Sequence, residues 1–337
     1  MIHIIKPGLL TSVQDLGRFG FQRYGVISSG AMDLYAHRVA NLLVGNEVNH
    51  ATLEITLLGP IIEFQQDTLI SICGANLSPT IFGNPIHNNR PILVKAGSIV
   101  RFGSAKQGCR AYLAIAGGIQ VDPIMKSKST YLRAGIGGHQ GRALRKGDQL
   151  LIGSKTVDNN KLETELARFS HRLTDYEEAK WSFDPLLFDQ NNSTNRIRAI
   201  KGRQYDWFSQ ESQQAFVNKT FKILADSDRM GYRLKGEIIK RNNTSELISE
   251  AVTMGTIQVP SDGNPIVLLA DGQTTGGYPK IGEVISIDIP LLSQAKPGDK
   301  VKFEWITLAK AQKLYMEREQ LMNQLEIGIA LHLRRCR

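Results

Sequence analysis

The chain has 337 residues, a hydrophobic fraction of 42% and a formal charge of +9. That length supplies one large domain or two ordinary ones, and that apolar content excludes a disordered chain. No segment approaches 18 consecutive apolar residues, so no membrane span is read, and the scattered basic residues lack the aromatic interleaving of a nucleic-acid groove. The positive charge is read instead as solubility and affinity for anionic small molecules. Small basic clusters lie at Lys126, Lys128 and Arg133, and at Arg334, Arg335 and Arg337. Cys73, Cys109 and Cys336 have no metal-like spacing, and an odd count without a signal peptide fits the reducing cytoplasm.

In chain order, Ile2 to Ile5 reads as a short strand ended by Pro7 and Gly8. Thr11 to Arg23 is polar and glycine-bearing and reads as a loop; Ala31 to Leu43 reads as a helix stopped at Gly45. Short strands follow at Thr52 to Leu58, Ile61 to Phe64, Thr68 to Ile72, Ile92 to Val94, Ile99 to Phe102 and Ala111 to Ile115. The polar stretch 156–195 reads as a connector with one short helix and a loop at Asn191 to Asn195. Strands resume at Arg196 to Ile200, Phe221 to Leu224, Gly255 to Val259, Ile266 to Leu269, Val284 to Ile289 and Lys300 to Trp305. From Leu308 to Leu333 few breakers occur, and Leu314, Leu321, Leu325 and Ile329 mark one apolar face of a helix. Many short strands punctuated by Gly or Pro are barrel or sandwich grammar.

The sequence also repeats itself. Met32-Asp33 precedes Glu54-Ile55-Thr56-Leu57-Leu58-Gly59, and Met230-Gly231 precedes Glu250-Ala251-Val252-Thr253-Met254-Gly255. Each unit runs into a strand, then into a second strand ending in glycine at Gly74 or Gly272. The closing phrases are Ala96-Gly97-Ser98-Ile99-Val100-Arg101-Phe102 and Pro297-Gly298-Asp299-Lys300-Val301-Lys302-Phe303. The expected division is a first barrel over 1–155, a connector over 156–195, a second barrel over 196–306 and a helix over 307–337. Duplicated halves bring matching loops to a shared cleft, a common place for a small-molecule site.

Ser261 to Gly282 delivers Asp271, Gln273, Thr274 and Thr275 onto a glycine-rich turn. Gly276 and Gly277 permit unusual dihedrals and close backbone approach to a carboxylate or phosphate, with Lys280 to neutralise it. A rigid barrel turn is the alternative. In the polar stretch from Thr11 to Asp33, Arg18 is placed either to clamp a carboxylate or to pair with Asp15 at the surface. Glu54 and Glu250 are either acid/base groups or acceptors of backbone hydrogen bonds. Cys73 reads as a buried, inert thiol, and the histidines match no zinc spacing, so no metal is expected.

Lys6-Pro7-Gly8-Leu9-Leu10-Thr11-Ser12-Val13-Gln14-Asp15-Leu16-Gly17-Arg18 resembles the opening of the biotin-dependent carboxyltransferase-like family. Asp228-Arg229-Met230-Gly231-Tyr232-Arg233-Leu234 resembles a second signature of it. Gly255 to Pro260, Gly263 to Ile266 and Asp271 to Pro279 continue the pattern. Members include the C component of 5-oxoprolinase, an antagonist of a sporulation-kinase inhibitor, and the carboxyltransferase region of urea carboxylase. The resemblance implies a mainly β chain of two cyclophilin-like barrels from an internal duplication, with a C-terminal helix. It implies the C component of an ATP-dependent complex that hydrolyses 5-oxo-L-proline to L-glutamate, with A and B subunits as partners. The alternatives are a carboxyltransferase for urea or another small amide, with biotin on a separate carrier, and a regulator that binds a histidine-kinase inhibitor. Within that frame Glu54 and Asp271 are the candidate bases, and Arg229 joins them as a catalytic candidate. Arg18, Tyr24, Ser28, Asn76, Gln258, Gln273, Thr274, Gly276, Gly277, Tyr278 and Lys280 are the candidate substrate-binding groups. ATP is used by the complex, and no tightly bound cofactor is expected.

Overall fold

The computed structural model describes residues 1–169, 175–184, 196–243 and 245–335. The expected loop at 191–195 lies outside these residues. The chain is mainly β, with a closed barrel and a C-terminal helix, as the spacing of short apolar runs predicts. It divides into two compact units. One comprises Met1–Arg18, Asp33–Phe188 and Leu321–Arg337, and the other Phe19–Met32 and Asp189–Gln320.

The first unit holds two antiparallel sheets among the described residues. One runs in the order Tyr176–Glu178, Ile92–Val94, Thr68–Asn76, Gln107–Ile115, Thr52–Thr56 and Leu10–Gln14. The other has Ile2–Lys6 between Gln149–Ile152 and Ile61–Phe64, with Ile99–Arg101 beyond. Val13, Leu53, Ile55, Phe64, Ile72, Leu113 and Ile115 are wholly buried in the core that these strands enclose. The first helix spans Leu34–Leu43, and the Asp33 carboxylate caps it by accepting from the Ala36 amide at 2.9 Å.

The strand Leu10–Gln14 corrects the expected loop from Thr11 to Arg23. Thr11, Ser12 and Gln14 look like loop residues because they are polar, yet each is at most 1% exposed. Their side chains bond inside the unit: Thr11 Oγ1 donates to the Pro7 carbonyl at 2.6 Å, and Gln14 Nε2 donates to Ser12 Oγ at 3.0 Å and the Thr130 carbonyl at 3.1 Å, while Gln14 Oε1 is buried without a hydrogen-bond partner.

In the second unit seven strands close a barrel in the order Arg196–Lys201, Lys280–Val284, Thr256–Gln258, Ile266–Leu268, Gly231–Lys235, Thr220–Ile223 and Lys300–Trp305. Closure joins Arg196–Lys201 to Lys300–Trp305 in parallel, and all other pairs are antiparallel. Phe221, Leu234, Ile257, Val267, Ile281 and Phe303 fill the interior at 1% exposure or less. The helix Gln210–Asn218 sends Phe216 against Phe303 and Trp305, with ring centroids 4.4 and 5.1 Å apart.

The expected strand from Val284 to Ile289 is also corrected: the strand ends at Val284, and a 3-10 turn at Ser286–Asp288 leads into a short helix at Ile289–Gln294. Pro290 in its first turn has no amide for a strand ladder, and the buried Asp288 carboxylate grips Arg198 at 2.6 and 2.9 Å. The terminal helix spans Leu308–Arg335 with Leu314, Met322, Ile329 and Leu333 buried and Leu321 and Leu325 half-buried on the expected face. Among the described residues no helix is long and apolar enough to cross a membrane.

Candidate functional site

A short ribbon pairs Glu250–Ala251 with Thr275–Gly276 beside the barrel strands Thr256–Gln258 and Lys280–Val284. A cavity of about 340 Å³ opens here, lined by Gly202, Arg203, Glu250, Thr256, Lys280 and Glu283 among others. Barrel alternation positions its groups: Ile257 and Ile281 point into the core, so Thr256 and Lys280 take the other face. Gly202 and Gly282 keep the floor open to close packing. A Cβ on Gly202 would lie 2.4 Å from the Lys280 carbonyl, and one on Gly282 would lie 2.7 Å from the Trp305 ring.

Glu250 is the hub. Lys280 Nζ lies 2.6 Å from Oε1, Gln204 Nε2 donates to the same oxygen at 2.7 Å, and Arg203 Nη1 donates to Oε2 at 2.9 Å. The Lys280 ammonium, with help from Gln204 and Arg203, holds the Glu250 carboxyl below its usual range, so it is ionised at neutral pH. Opposite stands Glu283, which accepts from Thr253 Oγ1 at 2.5 Å. The cavity therefore presents cationic donors and anionic acceptors in equal number, Arg203 and Lys280 against Glu250 and Glu283, which suits a small dipolar ligand.

Asp271 and Arg229 form a buried pair in the same unit. Arg229 Nε donates to Oδ2 at 2.9 Å and Nη2 to Oδ1 at 3.1 Å. Ser29 Oγ adds a bond to Oδ1 at 2.8 Å, and Arg229 Nη2 also reaches the Gly30 carbonyl at 2.6 Å. The pair pins the segment carrying Ser28, Ser29 and Gly30. Gln258 is 1% exposed and its Nε2 is buried without a hydrogen-bond partner, while Gln273 Nε2 approaches its Oε1 at 3.4 Å.

The glycine-rich turn works by a different means than its sequence suggests. Neither Gly276 nor Gly277 adopts a left-handed backbone. Gly276 instead leaves room for the buried Gln258 amide: a Cβ there would lie 2.3 Å from Gln258 Nε2, and that side chain would have to shift. Lys280 is not an uncommitted cation but the partner of Glu250. Gln273, Gly277 and Tyr278 are exposed and Thr274 half-buried; Tyr24 is exposed with Arg23 stacked 4.6 Å over its ring, and Ser28 is half-buried.

Three candidates belong to the first unit. Arg18 is wholly buried and donates to the carbonyls of Ile124 at 3.1 Å and Ser129 at 2.8 Å, so it ties the end of the first segment to the 124–130 loop. Asp15, its imagined surface partner, instead accepts from the Gly17 amide at 2.8 Å, the Lys128 amide at 2.6 Å and Ser127 Oγ at 2.8 Å. Glu54 is 1% exposed, takes the Tyr112 hydroxyl at 2.7 Å and lies 4.0 Å from Arg110 Nε. Asn76 is exposed and accepts from the Ser78 amide at 2.9 Å. Cys73 is buried and burial pushes its thiol pKa far up, which matches the inert reading. Among the described residues no cluster of His, Cys, Asp or Glu could hold a metal ion.

Residues 24–305 match the model of the carboxyltransferase domain, subdomains A and B. The chain belongs to this carboxyltransferase family. It is 39% identical to the C component of the Escherichia coli 5-oxoprolinase, over 96% of this chain and 97% of that one. It is 32% identical to the urea amidolyase of Lachancea kluyveri, covering 96% of this chain but only 18% of that protein. The crystal structure of the Kluyveromyces lactis urea carboxylase superposes with a TM-score of 0.85 at 31% identity, over 97% of this chain and 29% of that one. In this member of the carboxyltransferase family, Arg203, Gln204 and Glu283 were missed by sequence reasoning. No motif flags them; only their placement around Glu250, which the internal repeat had marked, brings them into the site.

Proposed function

We propose that this chain is the C component of a cytoplasmic, ATP-dependent 5-oxoprolinase complex with A and B subunits. The observation that carries the reading is the length match: the chain aligns with 97% of a 5-oxoprolinase C component, against 18% of a urea amidolyase. The complex hydrolyses a lactam too stable for easy attack by water. ATP phosphorylates the amide oxygen and releases ADP, one water adds to the activated carbon, and the C–N bond breaks as the amine takes up a proton, leaving an acyl phosphate. A second water hydrolyses that acyl phosphate to the carboxylate and free phosphate. L-Glutamate, ADP and phosphate are the products.

In this reading the cavity around Glu250 takes the lactam or its activated form. Lys280 and Arg203 hold anionic oxygen, Glu250 keeps Lys280 oriented, and Glu283 or Glu250 receives N–H protons. Gln258 and Gln273 sit beside the ribbon that closes the cavity. Asp271 and Arg229 act as positioning residues for the Ser28–Gly30 segment. Glu54 and Arg18 serve the interior of the first unit. Supporting the reading are the balanced charges of the cavity and the committed state of Glu250.

The test is reconstitution with A and B subunits and measurement of ATP-dependent glutamate release from 5-oxo-L-proline. Turnover that needs this chain is expected. A second reading, transfer of carboxyl to a small amide, draws support from the structural likeness to urea carboxylase. It predicts no glutamate release and instead carboxylation that depends on an added biotinylated carrier.

A further inference from the structure

The outer face of the second unit carries a row of lysines that the barrel fold itself aligns. Register pairs Lys235 with Lys222, and Lys222 with Lys300, so three like charges stand side by side across three strands. Neighbouring Cα atoms in such ladders are only about 4.5–5.5 Å apart. Lys302 follows on the same face and pairs in register with Thr220 on one side and Arg196 on the other. Apart from Gly231 and Ile200, the outward positions on these four strands are Arg233, Lys235, Thr220, Lys222, Lys300, Lys302, Glu304, Arg196 and Arg198, seven of them basic.

The arginines of this face have carboxylates of their own. Arg196 lies 3.7 Å from Glu304, Arg233 3.3 Å from Asp226, and Arg198 is held by Asp288. Among the described residues Lys222, Lys235 and Lys302 have no such ion pair. Like charges placed directly opposite one another destabilise a sheet. A fold that keeps them in a row gives up stability there, and a partner of opposite charge returns it.

We propose that the lysine face formed by Lys235, Lys222, Lys300 and Lys302 docks an acidic surface of a neighbouring protein subunit; this rests on the reading that the chain works inside an assembly of several proteins. The chemistry favours protein over nucleic acid. No aromatic side chain stands among the outward positions to stack bases, and Glu304 adds a carboxylate to the same face next to Lys302, which a phosphate backbone would avoid. Lysines on flexible stems match carboxylates scattered over a protein surface.

Lys222 gives a test that separates docking from folding. Lys222→Glu places a carboxylate between Lys235 and Lys300, so the barrel gains two cross-strand ion pairs while the face loses charge. Affinity for purified A and B subunits, measured by titration calorimetry at two salt concentrations, is expected to fall about tenfold or more at low salt. The melting temperature is expected to hold or rise. Lys300→Glu combined with Lys302→Glu should weaken binding further and flatten its salt dependence. Unchanged affinity and salt slope in these variants, with wild-type binding intact, overturns the docking face alone. Failure of the wild-type chain to bind either partner overturns the complex reading and the docking face with it. Tighter wild-type binding to a 20-nucleotide DNA or to phosphatidylserine vesicles than to either partner also overturns the proposal.

Discussion

Glu54 and Glu250 occupy matching places in the repeated sequence, yet their surroundings are opposite. Glu54 is buried in a full strand, Thr52–Thr56, and accepts the Tyr112 hydroxyl, which itself accepts from the Asp33 amide at 2.7 Å. It thus holds the start of the helix Leu34–Leu43 to the sheet. Glu250 stands in a two-residue strand at the edge of a cavity, 23% exposed, among Lys280, Arg203 and Gln204. The glycines that follow differ too. Gly59 has no room for a side chain, since a Cβ would lie 2.2 Å from that of Phe102, whereas Gly255 has a φ of 98°. Strand partners diverge as well: Ile61–Phe64 pairs with Ile99–Arg101, but Thr256–Gln258, the matching strand, pairs with Ile266–Leu268 instead of Lys300–Trp305. A repeated phrase therefore conserves where the chain turns more faithfully than what its polar residues do.

Removing each carboxylate breaks this comparison most sharply. Glu54→Ala removes the acceptor of the Tyr112 hydroxyl and the carboxylate 4.0 Å from Arg110, and is expected to cost about 3–5 kcal/mol in a denaturant titration. A loss under about 1 kcal/mol would show that Glu54 is no strut. The next effect comes from acid. His37 lies wholly buried beside Thr52, and burial lowers its pKa from 6.5 to about 4, against the weaker pull of Asp15 and Glu54. Between those values the unfolded chain binds a proton that the folded chain refuses. Stability is therefore full above pH 6.5 and falls as pH drops toward 4, by about 3 kcal/mol in all. His37→Gln should flatten that dependence in melts across the same range. The smallest effect on stability is that of Glu250→Gln, expected within about 1 kcal/mol because the pair is part-exposed. Its turnover in the reconstituted complex is expected to fall about 100-fold, since Lys280 loses its orienting charge. Normal turnover in that variant would remove the cavity from the mechanism.

Most of the fold was legible because short apolar runs between Gly and Pro can satisfy themselves only in small sheets. The strand Leu10–Gln14 was not, since its burial depends on partners such as Thr130, 116 residues away in sequence. The turn after Val284 was hidden for a related reason: Asp288 is held in place through Arg198, 90 residues distant. In the candidate site, the repeat pointed to Glu250, the family signatures to Arg229 and Asp271, and the charge beside the glycine-rich turn to Lys280. Which of them face a cavity and which tie the chain together depends on long-range packing that no local pattern records.

The Arg229–Asp271 pair also limits how this sequence can drift. One carboxylate oxygen serves both the Ser29 hydroxyl and the guanidinium, while the guanidinium reaches the Gly30 carbonyl. Replacing either partner by a neutral residue strands a buried charge, so changes at Asp271 and Arg229 are expected to be coupled in stability. Three segments far apart in the gene are thereby bound to a common fate.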